Sequence, residues 1–168
     1  MGKSYCKQIF HVCLTVEDID KALDFYCGVL GLHSTGSLRG EKSDGALLGF
    51  PGQTIEINAD HLEGSAQIDS PTVIDLIQYI TPKTYVGDGP VKDMNKVGLT
   101  RMAFTVENLL GVYDELKARG DVKFVCEPKL LNAPTGGYLM AVSFYDPFGN
   151  FLEFLEHLDE KPEGWTLS

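Results

Sequence analysis

The sequence predicts an α+β fold made of two copies of one βαβββ unit. Three observations carry this prediction. A strand-like segment occurs twice, as Phe10-His11-Val12-Cys13-Leu14-Thr15-Val16-Glu17 and as Thr100-Arg101-Met102-Ala103-Phe104-Thr105-Val106-Glu107. Each copy runs into a stretch with helical spacing, and Asp24 and Asp114 stand at the same offset from the shared Thr-Val-Glu. A closing strand recurs as well: Thr72 to Tyr79 aligns with Asn150 to His157, which puts Asp75 and Glu153 at matching positions. A period this long is a duplication rather than a solenoid array. The chain reads as one domain, with a first module over 8–80, a linker over 81–97 and a second module over 98–157.

The first strand covers about 8–16, with Phe10, Val12, Leu14 and Val16 expected to pack under the helix and His11, Cys13 and Thr15 facing the other way. Asp18 offers an N-cap for a helix through about Leu30, and Gly31 supplies its C-terminal stop. The apolar positions Ile19, Ala22, Leu23, Phe25, Tyr26, Val29 and Leu30 follow helical spacing. A strand near 32–39, a short helical turn at Gly45–Phe50, a strand over 54–61 and a more apolar strand over Thr72–Ile80 complete the module. Residues 54–61 alternate, with Ile55, Ile57 and Ala59 on one face and Thr54, Glu56, Asn58 and Asp60 on the other. The linker holds Pro82, Pro90, Gly87 and Gly89. The second module repeats the order: strand 98–106, helix 108–119 ending at Gly120, strands 122–126 and 137–145, a turn over Asp146–Asn150, and strand 151–156. In that turn Pro147 restricts φ, and Gly149 and Asn150 supply positive φ.

The chain has 168 residues and a formal net charge of -10. That charge argues against nucleic acid and anionic membranes as partners, since both call for a basic surface. No apolar run approaches the roughly 20 residues of a membrane span, and Met1 to Cys6 lacks the apolar stretch of a signal peptide. Cys6, Cys13, Cys27 and Cys126 show no Cys-x-x-Cys spacing; Cys13 and Cys126 sit in strand-like runs and are expected to be buried thiols. Together these point to a cytoplasmic setting.

The chemistry-bearing residues gather on the matching strands. Asp75 and Glu153 each interrupt an apolar strand, which is costly unless the carboxylate is paired, hydrogen-bonded or metal-bound. Glu56 and Asn58 lie on the polar face of their strand, and Tyr138 follows Gly136-Gly137 at a flexible rim. His33, His61 and His157 have no partner spacing and read as structural or surface residues.

Two segments carry a resemblance: the run from Phe10 through Asp18-Ile19, Phe25-Tyr26 and Val29-Leu30-Gly31-Leu32, and Tyr145-Asp146-Pro147-Phe148-Gly149-Asn150-Phe151-Leu152-Glu153-Phe154-Leu155-Glu156. Over about residues 8–157 the chain resembles the vicinal-oxygen-chelate superfamily, which contains glyoxalase I, methylmalonyl-CoA epimerase, extradiol dioxygenases, and bleomycin and fosfomycin resistance proteins. The resemblance implies two βαβββ modules forming a curved mixed sheet around a shared cleft, with metal ligands on the first and last strands of each module. It implies His11, Asp75 and Glu153 as metal ligands, with Glu153 and Asp75 as catalytic carboxylates; Arg101 is a candidate to hold substrate, and Glu56 and Asn58, from their polar strand face, and Tyr138, from its glycine-flanked rim, are candidates to line the same site.

Arg101 is the departure from that pattern, because it stands where many members have His or Gln. A guanidinium has donors only and cannot ligate a cation. At about 5 Å it would repel a dication by roughly 7 kcal/mol at an effective dielectric of 20. Arg101 therefore either pairs with the carboxylates in place of an ion or holds an anionic substrate. In the second case His11, Asp75 and Glu153 suit one divalent ion (Zn, Ni, Co, Fe, Mn or Mg). The leading function is proton transfer next to a carbonyl in a small molecule, a lyase or isomerase activity like that of glyoxalase I or methylmalonyl-CoA epimerase, with or without the assistance of a metal ion. The alternative is a metal-free protein that sequesters a ligand, as drug-resistance members do. Extradiol dioxygenation ranks below both, since only one His falls at the expected positions. The resemblance also implies a homodimer.

Overall fold

The computed structural model describes residues 9–65, 72–90, 94–95, 97–134 and 136–167. The start of the first expected strand at residue 8, the N-terminal segment with Cys6, and linker residues 91–93 and 96 lie outside them. The chain divides into two compact units, Met1–Gly87 and Asp88–Ser168. Each holds a mixed sheet with little helix, an α+β architecture.

In the first unit the order is β1 (His11–Thr15), α1 (Ile19–Leu23), β2 (His33–Asp44), β3 (Thr54–Glu63) and β4 (Val73–Thr81). The sheet order is β1-β4-β3-β2. β1 runs parallel to β4, and the β2–β3 and β3–β4 pairs are antiparallel. Asp18 caps α1 by accepting from the Lys21 backbone N–H at 3.1 Å. The expected single helix to Leu30 is two pieces: after α1 the chain continues as a wider π-type turn over Asp24–Val29. Gly28, a poor helix former, falls inside it. Val16, Ile19, Ala22, Phe25, Tyr26, Leu62 and Leu76 make the buried layer on the helix side. Phe10 does not join it and is 58% exposed; its carbonyl accepts from Val73 N at 3.1 Å and its ring packs beside His11 and His61. β2 is longer than expected, through Asp44, and exposed throughout. Asp60 is buried, with Arg39 Nη2 at 2.6 Å and the Ser34 hydroxyl donating at 2.8 Å.

The second unit comprises β5 (Met102–Thr105), α2 (Leu109–Arg119), β6 (Lys123–Phe124), β7 (Lys129–Asn132), β8 (Tyr138–Tyr145) and β9 (Phe151–Leu158). Its order is β5-β9-β8-β6, with β7 also paired to β8. β5 is parallel to β9, as β1 is to β4. The expected strand 122–126 shrinks to two residues, and β7, which the sequence reading lacks, pairs further along the same side of β8. Half-buried Cys126 lies in the break between them rather than in a strand. Buried Leu109, Tyr113 and Leu116 of α2 cover Met140, Val142, Phe144, Leu152 and Phe154. A chain of rings, Tyr113–Phe124 at 4.7 Å, Phe124–Phe144 at 6.0 Å and Phe144–Phe154 at 4.4 Å, joins helix to sheet. In the 146–150 turn the Asp146 carboxylate accepts from Phe148 N, Asn150 N and Asn150 Nδ2. Only Gly149 takes positive φ there, at 87°; Asn150 does not.

At the start of α2, Asn108 N and Leu109 N both donate to the Glu156 carboxylate, at 2.8 and 2.9 Å. The acid also sits at the positive end of the helix dipole. Glu156→Ala should therefore lower unfolding free energy by about 1–3 kcal/mol. Urea denaturation of the variant against wild type measures this, and an unchanged midpoint would contradict the role.

Candidate functional site

β4 lies between β1 and β3, and its register sets what meets on each face. Asp75 is the partner of Cys13 on one side and of His61 on the other. Directly paired residues share a face and neighbours along a strand alternate. His11, Cys13, His61 and Asp75 therefore lie on the sheet face away from α1, together with Ile77 and Tyr79. His61 Nε2 is 3.4 Å from Asp75 Oδ1. The His11 and His61 rings are 6.3 Å apart, and Phe10 packs at 5.3 Å from the first and 6.3 Å from the second. One ligating atom each from His11, His61 and Asp75 falls within 4.8 Å of the others. His11 is exposed, His61 half-buried and Asp75 buried.

The carboxyl of Asp75 is raised above its ordinary range by burial, which the positive character of His61 and then His11 partly offsets. Cys13, an expected buried thiol, is exposed, because β1 is the edge strand of its sheet, whereas Ile77 and Ala59 on inner strands of the same face are buried. Loss of water around its thiol, and then the charge of Asp75, push its pKa up to about 11. Burial, followed by the charges of Cys13 and Asp75, also raises the Tyr79 phenol. At neutral pH the carboxylate thus has protonated thiol and phenol groups in its electrostatic reach.

This donor set fits a divalent ion. Two imidazoles and one carboxylate suit Zn, Fe, Co, Ni or Mn. Ligands held at about 2.1 Å from one ion are about 3.0–3.4 Å apart along a coordination edge, which the His61–Asp75 separation of 3.4 Å matches.

The other expected residues fall elsewhere. Asn58 donates to Gln78 Oε1 at 3.1 Å and accepts from Gly40 N at 2.9 Å. By alternation from Ala59 and His61 it faces α1, so it does not join the group. Glu56 is paired with Lys42 at 3.4 Å. In the second unit Arg101 Nε lies 3.1 Å from Glu153 Oε2. Tyr138 alternates with Leu139 and shares the α2 side with Met140, whereas Glu153 pairs with Ser143 on the opposite face. His61, read from sequence as structural or surface, is a member of the group. The signal was the hairpin phase: with Ala59 opposite Ile77, two residues on puts His61 opposite Asp75.

A family model of the Glyoxalase/Bleomycin resistance protein/Dioxygenase superfamily matches residues 8–154. Solved structures share the fold at low sequence identity. A glyoxalase family protein from Bacillus cereus aligns with a TM-score of 0.70 and 21% identity, over 94% of this chain and 99% of that one. The antibiotic-binding protein TnmS3 from a Streptomyces species aligns at 0.59 and 16%, over 93% and 100%. The trypanothione-dependent glyoxalase I of Leishmania major aligns at 0.54 and 19%, over 90% and 87%. No curated protein matches the chain.

Because Asp75 is harder to ionise in the folded chain, its neutral form is the one folding favours. Its contribution is intact below the unfolded carboxylate value of 3.8 and is lost as pH rises through the higher folded value. Asp75→Asn should therefore raise the melting temperature of metal-stripped protein at pH 7 by about 1–3 °C. Thermal scans across pH should show the gain vanishing in acid; a variant less stable than wild type at pH 7 would oppose this.

Proposed function

The chain belongs to the Glyoxalase/Bleomycin resistance protein/Dioxygenase superfamily, and from that premise we propose that it is a metal-assisted enzyme acting on a small carbonyl compound, in the lyase or isomerase manner of glyoxalase I. The observation that supports this best is the meeting of His11, His61 and Asp75 on one sheet face. A divalent ion held there supplies Lewis-acid polarisation of a substrate oxygen. Asp75 and the two imidazoles would hold that ion. The Tyr79 phenol, protonated at neutral pH, offers a hydrogen bond to substrate. Glu153, the carboxylate the resemblance implies as a base, belongs to the second unit, where its Oε2 faces Arg101.

A second reading, a metal-free protein that binds a small molecule, draws support from the Arg101–Glu153 pair, which places a cation beside a carboxylate that could otherwise serve an ion. Metal analysis of protein purified without chelators separates the two. The metalloenzyme should carry one equivalent of divalent ion, and His61→Ala and Asp75→Ala should each lose it. Wild-type protein that holds no metal and takes up neither cobalt(II) nor zinc at micromolar concentration would leave the binding-protein reading standing.

A further inference from the structure

The two sheets repeat the constellation around their carboxylates position by position. In the first, Asp75 on β4 has Cys13 as its parallel partner and His61 as its antiparallel partner. In the second, Glu153 on β9 has Ala103 as its parallel partner and Ser143 as its antiparallel partner. His11 stands two residues before Cys13, and Arg101 two before Ala103. The correspondence is therefore one to one: His11 with Arg101, Cys13 with Ala103, His61 with Ser143, Asp75 with Glu153.

Only the acid is kept in kind. The first unit surrounds it with groups that have lone pairs to give. The second replaces one imidazole by a guanidinium, 3.1 Å from the carboxylate, and the other by a hydroxyl. A guanidinium cannot ligate a cation, but it supplies the positive charge that a cation would. We propose that the second unit carries the same site as the first with its cation built in: the Arg101 guanidinium stands where an ion would. It follows that Glu153 is not a metal ligand and that ion binding is confined to the first unit, the latter clause resting on the function proposed above.

Equilibrium dialysis against cobalt(II) tests this. The Arg101→His/Ser143→His variant should bind one equivalent more than wild type, and adding Glu153→Gln should remove that extra equivalent. Glu153→Gln alone should leave wild-type stoichiometry unchanged. A gain from none to one would sink the metal reading of the first unit while supporting this one. A folded double variant with no gain, or loss of the wild-type ion in Glu153→Gln, would overturn it. The converse exchange keeps the test alive if the double variant does not fold. His11→Arg/His61→Ser should bind no cobalt and should melt about 2 °C or more above His11→Gln/His61→Ser, since only the first supplies a cation to Asp75. Equal or lower melting of the arginine variant would overturn the proposal.

Discussion

Both sheets carry a carboxylate on an inner strand, with a neighbouring strand on either side, and much of the chemistry of this chain follows from that constraint. Such a group loses water to the flanking strands and needs a cation, a hydrogen-bond donor or a proton in return. Asp75 shows the cost directly, since burial holds its carboxyl above the ordinary range even with two histidines nearby. Glu153, longer by one methylene, reaches a guanidinium. The parallel pairing of first and last strands creates the problem, because it makes the last strand interior. It also supplies the answer, because it brings the residues at 11 and 101 toward the acid.

The helix side of the same strands has its own matched pair. Three residues beyond each carboxylate stand Gln78 and Glu156, which alternate to the opposite face. Gln78 donates to Glu17 O at 2.7 Å, and Glu156 accepts from Asn108 N and Leu109 N. Both tie the last strand to the turn that leads into the helix, with reversed polarity. The reversal has a local cause. Asp18 caps α1 with its own side chain at 3.1 Å. Asn108, held at φ 54°, reaches Gly111 N only at 3.4 Å, so α2 takes its acceptor from β9.

Periodicity and the duplicated segment made the strand and helix order legible, because those signals are local. The breaks were less legible. Nothing local says that β2 continues to Asp44 while its counterpart splits into β6 and β7, since pairing against β8 decides it. At the site, His11 and Asp75 could be found from their strands, but His61 could not be found from spacing to either. It joins them through antiparallel register, a long-range property. The same register sends Asn58 to the helix face, so polarity along one strand misled where pairing between strands was needed.

A guanidinium and a metal ion solve the charge problem of a sheet carboxylate in different ways. The guanidinium is attached to the chain, cannot be lost on dilution, and is satisfied once it faces the acid. An ion must be bound from solution, but it leaves coordination positions open to an outside oxygen. With neutral imidazoles, a divalent ion leaves the first unit's group at a net +1, whereas Arg101 and Glu153 sum to zero. A duplicated scaffold can thus set a tethered cation beside one acid and imidazoles beside the other by changing the side chains around a position that stays acidic.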